Sequence, residues 1–559
     1  MTERTADLHT YLESMARNRT DRWRVSACGV TSDRQNIPAL LDKSAYASET
    51  NSVPVLLISG LSGREDDISL VRHALELFQA AGSTLADQIG LSAVPSCNPN
   101  GVHDLSTGYP PTDNFFYDAE EPEKRYLWRW ICFQGPGLVL ELRSGESVHW
   151  QNNDAGRSLE SALAGSGGPL ENGSLLAALG RGSPDGLGPI PGLRLTCPPE
   201  ALENELGGFW NVLLNQPGLR VASPARRALE VRSARSYLEV ARILASVYGY
   251  QLEPVNYTQG VGISGRLRLA RLSEEGESPV PGIVRLVEPY VSGAVEMFGE
   301  RAGGANLAGL IWGQELEEAT GDRRYANLIV DVANRYRSGV DGGAPPPCDP
   351  DFRTEDMFMA GAMLGRAFDI TGERPYLDLL VNFLIDSRIQ QENGLFWHCR
   401  PAPFYWGRGN GFAAMGLTET LTYLPGDFPG REAVLAMYRN LLDALVRIQN
   451  PSGMLPQVLD VPGSYQEFTA TCMLGYALAR GLRRGWLDPS YQTPLNLAWR
   501  GVSQRIDSMG NVVDGCASTG VQESLDEYLD RPAIFGFDDR SGGMALWFAV
   551  EMQLHQVQI

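Results

Sequence analysis

The rhythm of apolar and polar positions changes near the middle of the chain. In the first half, short apolar runs such as VPVLLISG (53–60), LSAVPSC (91–97) and GLVLELRSG (137–145) are bounded by Gly, Pro and Asn. They alternate with helical stretches such as ISLVRHALELFQAAG (68–82). Runs this short and this apolar, set between helices, predict an α/β domain with a largely buried sheet. A later tract, AGSGGPLENGSLLAALGRGSPDGLGPIPG (164–192), is rich in Gly, Ser and Pro and predicts a long loop. The pattern changes across RLSEEGESPVPG (271–282), so the expected division is an α/β domain over 1–275 and an all-α domain over 276–559.

The second half is helical throughout, and one element recurs. ATGDRRYANLIVDVANRY (319–336) is echoed by ITGERPYLDLLVNFLIDS (370–387), with the Gly-acid-Arg-x-Tyr step displaced by 51 residues. Each copy reads as a helix end, a glycine turn and a new helix, so the unit is a helical hairpin of about 50 to 60 residues. Eleven or twelve amphipathic runs between 281 and 555 make six hairpins, which predicts a closed α/α toroid, an (α/α)6 barrel.

Composition narrows the partners. At 559 residues the chain exceeds one ordinary core, in keeping with two domains. No window approaches the roughly 18 uninterrupted apolar residues of a membrane helix. The first residues, MTERTADLHTYLESMARNRTDRW, lack the apolar centre of a secretory signal, which predicts a cytoplasmic protein. A formal charge of −20 argues against nucleic acid and anionic membrane as partners. An anionic small substrate would need a local cation. Eight cysteines without a CxxC pair fit reduced, buried thiols, and neither a metal nor a cofactor is predicted.

Three stretches could carry chemistry. In PAPFYWGRGNGF (401–412) the glycines are not followed by Lys and Ser or Thr, which removes a phosphate loop. Two readings stay open. In one, the glycines are only a tight helix start with Tyr405 and Trp406 in the core. Alternatively, Trp406 offers a flat face to a sugar while Arg408 presents its fork to a carboxylate. In RTEDMFMAGAMLGRAFDITG (353–372), Thr354 reads as an N-cap with Glu355 and Asp356 in the first turn. The helix dipole lowers a carboxylate pKa there, whereas the bulk of Met357, Phe358 and Met359 raises it. Adjacent helical positions differ by about 100° in direction, so the two acids should not face one pocket together. His398, in GLFWHCRPAPF, is the one histidine among aromatics and beside the glycine-rich stretch.

The series EDMFMA, GLFWHCRPAP, YWGRGNGF, SYQEFTATCMLGYALARGLRRGWL, GNVVDGCASTGV and RPAIFGFDDRSGGMALWFAVEM resembles glycoside hydrolase families 88 and 105, the unsaturated uronyl hydrolases. By that resemblance Asp356 is the catalytic aspartate and His398 the active-site histidine, while Trp406, Arg408 and Asn410 contact substrate. The implied substrate is a short anionic oligosaccharide ending in a uronic acid with a C4=C5 double bond. The aspartate protonates C4, water adds at C5, and the resulting hemiketal rearranges to release the remaining sugar. Asn306 departs from the pattern, standing near where these families often carry a second aspartate. Two alternatives therefore stay open. One is an exo-acting glucuronidase on saturated uronides, using Asp356 with Glu467, Asp514 or Asp538. The other is a non-catalytic uronate-binding protein.

In the first half, ISGLSGRED (58–66), SAVPSCNPNG (92–101) and LVLELRSG (138–145) resemble the zinc carboxypeptidase fold. Glu65 is present, but Ser62 and Arg143 stand at the two histidine positions, which implies a metal-free relative. Ser62 as a hydrolase nucleophile fails the G-x-S-x-G pattern, because Arg64 holds the last position. The expected roles of this domain are to support the barrel, to cover its mouth, or to form the contact of a homo-oligomer.

Overall fold

The structure, a computed structural model, describes residues 3–46, 52–101, 103–111, 121–157, 163, 166–182, 186–215, 222–272, 277–298, 302–337, 344–518 and 520–558. The chain forms two compact units. The first comprises Met1–Arg232 with the short segment Val461–Tyr465, and the second comprises Ser233–Asp460 and Gln466–Ile559.

The first unit is built on an eight-stranded mixed sheet. Its strands are β1 (Trp23–Val30), β2 (Asn36–Asp42), β3 (Val53–Ser59), β4 (Ile89–Val94), β5 (Leu138–Ser144), β6 (His149–Asn152), β7 (Ser166–Pro169) and β8 (Gly192–Cys197). They lie in the order β1-β2-β4-β3-β5-β8-β6-β7. The four central strands, β4, β3, β5 and β8, run parallel. Their buried Val, Leu and Ile residues share one core with the helices Glu65–Ala80 and Leu202–Asn215. Continuous apolar runs are what a sheet covered on both faces requires. The tract 164–192 departs from the expected loop. It contains β7, the start of β8 and a short helix, Leu175–Leu179, whose Leu175, Leu176 and Leu179 are buried. Small residues dominated its composition, yet three leucines suffice to anchor it.

The second unit is a helical barrel. Twelve helices of eight or more residues occur among its described residues. An inner ring runs through 257–272, 304–320, 354–371, 407–423, 468–483 and 539–558, and the last packs back against the first. One continuous apolar core fills the ring. The repeated step has the expected form. Gly321 (φ 75°) and Gly372 (φ 72°) end their helices in the left-handed region that glycine adopts without steric cost, and Tyr325 and Tyr376 are buried in the helices that follow.

The division between the units falls at Arg232/Ser233, ahead of the expected 275/276. Helices Tyr237–Ala245 and Tyr257–Leu272 belong to the barrel, and the second of them is an inner helix. Its glycines conceal it in the sequence, yet they allow its burial. A Cβ on Gly260 would lie 2.6 Å from the Gly309 carbonyl oxygen, and one on Gly262 would lie 2.8 Å from the Gly249 nitrogen.

No helix among the described residues is long and apolar enough to cross a membrane. All eight cysteines are unbridged and buried.

Candidate active site

The site is assembled where two inner-ring helices begin. Helix Thr354–Thr371 starts after Arg353, which makes no side-chain cap, so Thr354 is the first helical residue rather than the expected cap. Helix Gly407–Tyr423 starts within the glycine-rich stretch and includes GRGNG. The glycines serve close packing more than a turn. A Cβ on Gly409 would lie 2.8 Å from Thr354 Oγ1, and one on Gly407 would lie 2.6 Å from the Pro456 carbonyl oxygen. Gly409 thus lets the two helix starts meet.

Glu355 and Asp356 diverge, as their angular separation on the helix requires. Glu355 turns toward His398, whose Nε2 lies 3.0 Å from Oε1 and 3.1 Å from Oε2. The other ring nitrogen, Nδ1, lies 2.5 Å from the Tyr528 hydroxyl. His398 is fully buried, its ring centroid 4.6 Å from that of Trp406. Burial pushes the Glu355 carboxyl up, but the attraction of His398 and its hydrogen bond outweigh that and hold it below the usual range.

Asp356 faces the other way. Its Oδ2 accepts a hydrogen bond from the Asp349 backbone N–H at 2.7 Å. Its Oδ1 lies where a Cβ on Gly304 would come within 2.8 Å, so a side chain at 304 would crowd the carboxylate. Only 8% of Asp356 is exposed. Burial, reinforced by repulsion from Glu355 and Asp349, overcomes the Asp349 N–H and Arg353 and pushes its pKa up to about 7. Two neighbouring carboxyls are thereby driven in opposite directions, one held ionised and one poised to carry a proton near neutral pH.

The other expected site residues take different parts. Arg408 is fully buried and donates through Nη1 and Nη2 to the carbonyl oxygens of Cys516 and Ser518. It holds a loop instead of presenting an open fork. Trp406 is also fully buried, with the guanidinium carbons of Arg408 and Arg531 each 4.9 Å from its ring centroid. It offers no open face for a sugar. Asn410 clamps the backbone, its Oδ1 accepting from Phe396 N at 2.7 Å and its Nδ2 donating to the Phe396 and Trp406 carbonyls at 2.9 Å and 3.0 Å. Asn306 is partly buried on the turn that begins at Gly304, and its Nδ2 donates to the Val255 carbonyl at 2.9 Å.

The acids weighed as partners for Asp356 have structural employment. Glu467 accepts from the backbone N–H groups of Thr469, Ala470 and Cys516. Asp514 pairs with Arg505 at 3.3 Å, and Asp538 accepts from Ser541 N at 3.0 Å.

Three residues were missed in the sequence. Glu355 was placed on the helix but not with His398. Tyr528 lies in LDEYLDR, which has no distinctive pattern. Arg540 Nε donates to the Tyr257 hydroxyl at 3.1 Å, and Tyr257 packs edge-on to Phe412, 5.6 Å away, and to Phe358, 6.5 Å away. Tyr257 is drawn down by Arg540 and Arg408 and up by Glu355, although burial dominates and raises its pKa. Arg540 therefore belongs to the same cluster and, unlike Arg408, keeps part of its side chain exposed, 19%.

In the first unit, the zinc reading does not fit the residues present. The Ser62 hydroxyl is spent on Asp67 Oδ2 at 3.0 Å, and the Arg143 guanidinium is paired with Glu141 at 2.5 Å. A cation held at a ligand position repels a metal ion.

Comparison with known proteins agrees with the fold of the second unit. Residues 354–555 match the family model described as Glycosyl Hydrolase Family 88. The unsaturated rhamnogalacturonyl hydrolase YesR of Bacillus subtilis is 29% identical over 150 residues, 26% of this chain and 41% of that protein. The unsaturated 3S-rhamnoglycuronyl hydrolase of Alteromonas sp. is 25% identical over 113 residues, 20% of this chain and 27% of that protein. The chain thus spans less than half the length of these relatives. The solved family 105 glycoside hydrolase of C. acetobutylicum is 18% identical, covers 56% of this chain and 99% of its own, and superposes with a TM-score of 0.50, a likeness of fold. The stretch similar to Glycosyl Hydrolase Family 88, residues 354–555, holds Glu355, Asp356, His398 and Arg540.

Proposed function

We propose that the barrel removes a terminal unsaturated uronic acid from short anionic oligosaccharides by hydrating its C4=C5 bond. One observation carries the reading: Asp356, 8% exposed, has a pKa raised to about 7, so a large share of it is protonated at neutral pH. In this reading Asp356 delivers its proton to C4 of the enol ether. Water adds its oxygen at C5 and returns a proton to Asp356. The hemiketal so formed opens and releases the rest of the chain, and no second carboxylate flanking the glycosidic bond is required.

Glu355 stays ionised beside His398 and stabilises the positive charge that develops at C5 and the ring oxygen. Arg540 is the cation we assign to the sugar carboxylate, in place of Arg408, whose terminal nitrogens are already committed to backbone carbonyls. Asn306 at the Gly304 turn supplies a neutral polar group and no proton at neutral pH. The relatives' names, one a rhamnogalacturonyl and one a rhamnoglycuronyl hydrolase, favour an unsaturated uronide as substrate. We read the first unit as a metal-free, carboxypeptidase-like domain.

A second reading has one observation in its favour. Glu355, not Asp356, shares the aromatic pocket with His398, Tyr528 and Trp406, and there the proton donor would be Glu355 with His398 as its relay. The test is activity on unsaturated disaccharides, followed as loss of the conjugated ultraviolet absorbance, for wild type, Asp356→Asn and Glu355→Gln. Abolition in Asp356→Asn with residual turnover in Glu355→Gln supports the first assignment, and the opposite order supports the second.

A further inference from the structure

A second concave site lies on the barrel, away from Asp356. It is a cavity of about 770 Å³, and its charged lining residues are Arg242, Arg266, Arg285 and Glu277. Three cations against one carboxylate stand out on a chain whose formal charge is −20. Helix Tyr257–Leu272 connects the two regions: Tyr257 is at the catalytic cluster, and Arg266, nine residues on, is about 13 Å further along the axis.

Four features of the cavity point to an anion. Arg266, 9% exposed, donates to the Gly249 carbonyl at 2.8 Å and has no carboxylate partner, so burial pulls its pKa below the usual arginine value. Arg285 has no hydrogen-bond or ion-pair partner among the described residues. Helix Val280–Val291 turns its N-terminus to the cavity through Ser278, Pro279 and Gly282, and its first turn carries no acidic residue to neutralise the dipole. A helix N-terminus and guanidinium groups around one hollow are what a carboxylate or phosphate group requires.

The fourth feature adds a ring. Tyr250 is 53% exposed, and the Arg266 guanidinium lies 3.8 Å from its ring centroid. The cation covers one face of the tyrosine and fixes its orientation, leaving the rest as an apolar platform at the edge of the cationic hollow. We propose that this cavity is a binding site for an anionic sugar, a sugar ring carrying a carboxylate or a phosphate, with Arg266 and Arg285 on the anion and Tyr250 on the ring.

Calorimetric titration of the full chain with a saturated uronic acid, a sugar monophosphate, neutral glucose and inorganic phosphate tests the proposal. At least one anionic sugar binds more tightly than inorganic phosphate, and glucose does not bind. The Asp356→Asn variant, which alters only the catalytic site, keeps that affinity, whereas Arg285→Glu and Tyr250→Ala each weaken it by at least tenfold. Which anionic sugar binds identifies the carboxylate or the phosphate as the preferred group. The proposal is overturned if no anionic sugar binds, if glucose binds equally well, or if neither substitution changes the affinity. Equal binding of inorganic phosphate, unchanged by Tyr250→Ala, also overturns it.

Discussion

His398 Nε2 lies 3.0 Å and 3.1 Å from the two carboxylate oxygens of Glu355, the residue immediately before Asp356. The imidazole takes up one acid of the pair and leaves the other without a cationic partner as close. Glu355 is thereby held ionised while buried Asp356 retains a proton to higher pH. The division of labour between the two carboxyls rests on this contact.

Breaking the contact should shift the acid profile. With His398→Ala, Glu355 loses its attracting neighbour and its pKa rises. Protonated Glu355 repels Asp356 less, so the Asp356 pKa falls. The activity profile on an unsaturated disaccharide should then lose its acid-form limb at lower pH than in wild type, with kcat reduced by about 100-fold. The pH dependence of kcat in the two proteins provides the check.

Stability carries its own signature. The folded pKa of Asp356 is raised above its unfolded value, so the native state binds more protons between about pH 4 and pH 7, and stability falls as pH rises through that window. Asp356→Asn removes the burden. The variant should gain relative to wild type on going from pH 4 to pH 8, by an amount on the order of a few kcal/mol. Urea denaturation at both pH values measures it.

Arg408 acts by holding the loop at Cys516–Ser518, and its loss should be felt first as stability. Removal of a buried guanidinium that donates to two carbonyls costs about 3 kcal/mol. Arg408→Ala should lower Tm by several degrees and raise the proteolytic sensitivity of that loop. Arg540→Ala should instead raise KM for the anionic substrate, with a smaller fall in Tm from the loss of its hydrogen bond to Tyr257. Parallel melting and Michaelis curves for the two variants separate the roles.

Gly409→Ala places a methyl group 2.8 Å from Thr354 Oγ1 and should push apart the two helix starts that carry the site. The expected cost is about 1 to 3 kcal/mol with a marked loss of activity. Adding Thr354→Ala makes room, so the double variant should recover part of both losses, a coupling that a double-mutant cycle reads directly.

Much of this was legible in the chain. The repeat at Gly321 and Gly372 follows from glycine's access to positive φ, and the buried parallel strands follow from unbroken apolar runs. Helix Tyr257–Leu272 was not legible. Gly260, Gly262 and Gly265 lower its intrinsic helix propensity, and only the backbones packed against Gly260 and Gly262 explain why glycine is needed. Trp406 was singled out as a sugar platform and packs instead against His398, while Arg408 was read as an open fork, and a sequence does not show whether an arginine's fork is free or occupied. Here the occupying groups lie 108 and 110 residues away, in carbonyls that any residue could supply. Tyr528, likewise, is 130 residues from the histidine it meets.

One optical measurement decides whether the barrel hydrates a C4=C5 bond. Wild-type protein mixed with an unsaturated uronyl disaccharide should abolish the conjugated ultraviolet absorbance as the two sugars separate, and Asp356→Asn should leave it at least 100-fold slower. Unchanged absorbance, together with release of saturated uronic acid from an intact uronide, would exclude hydration as the reaction.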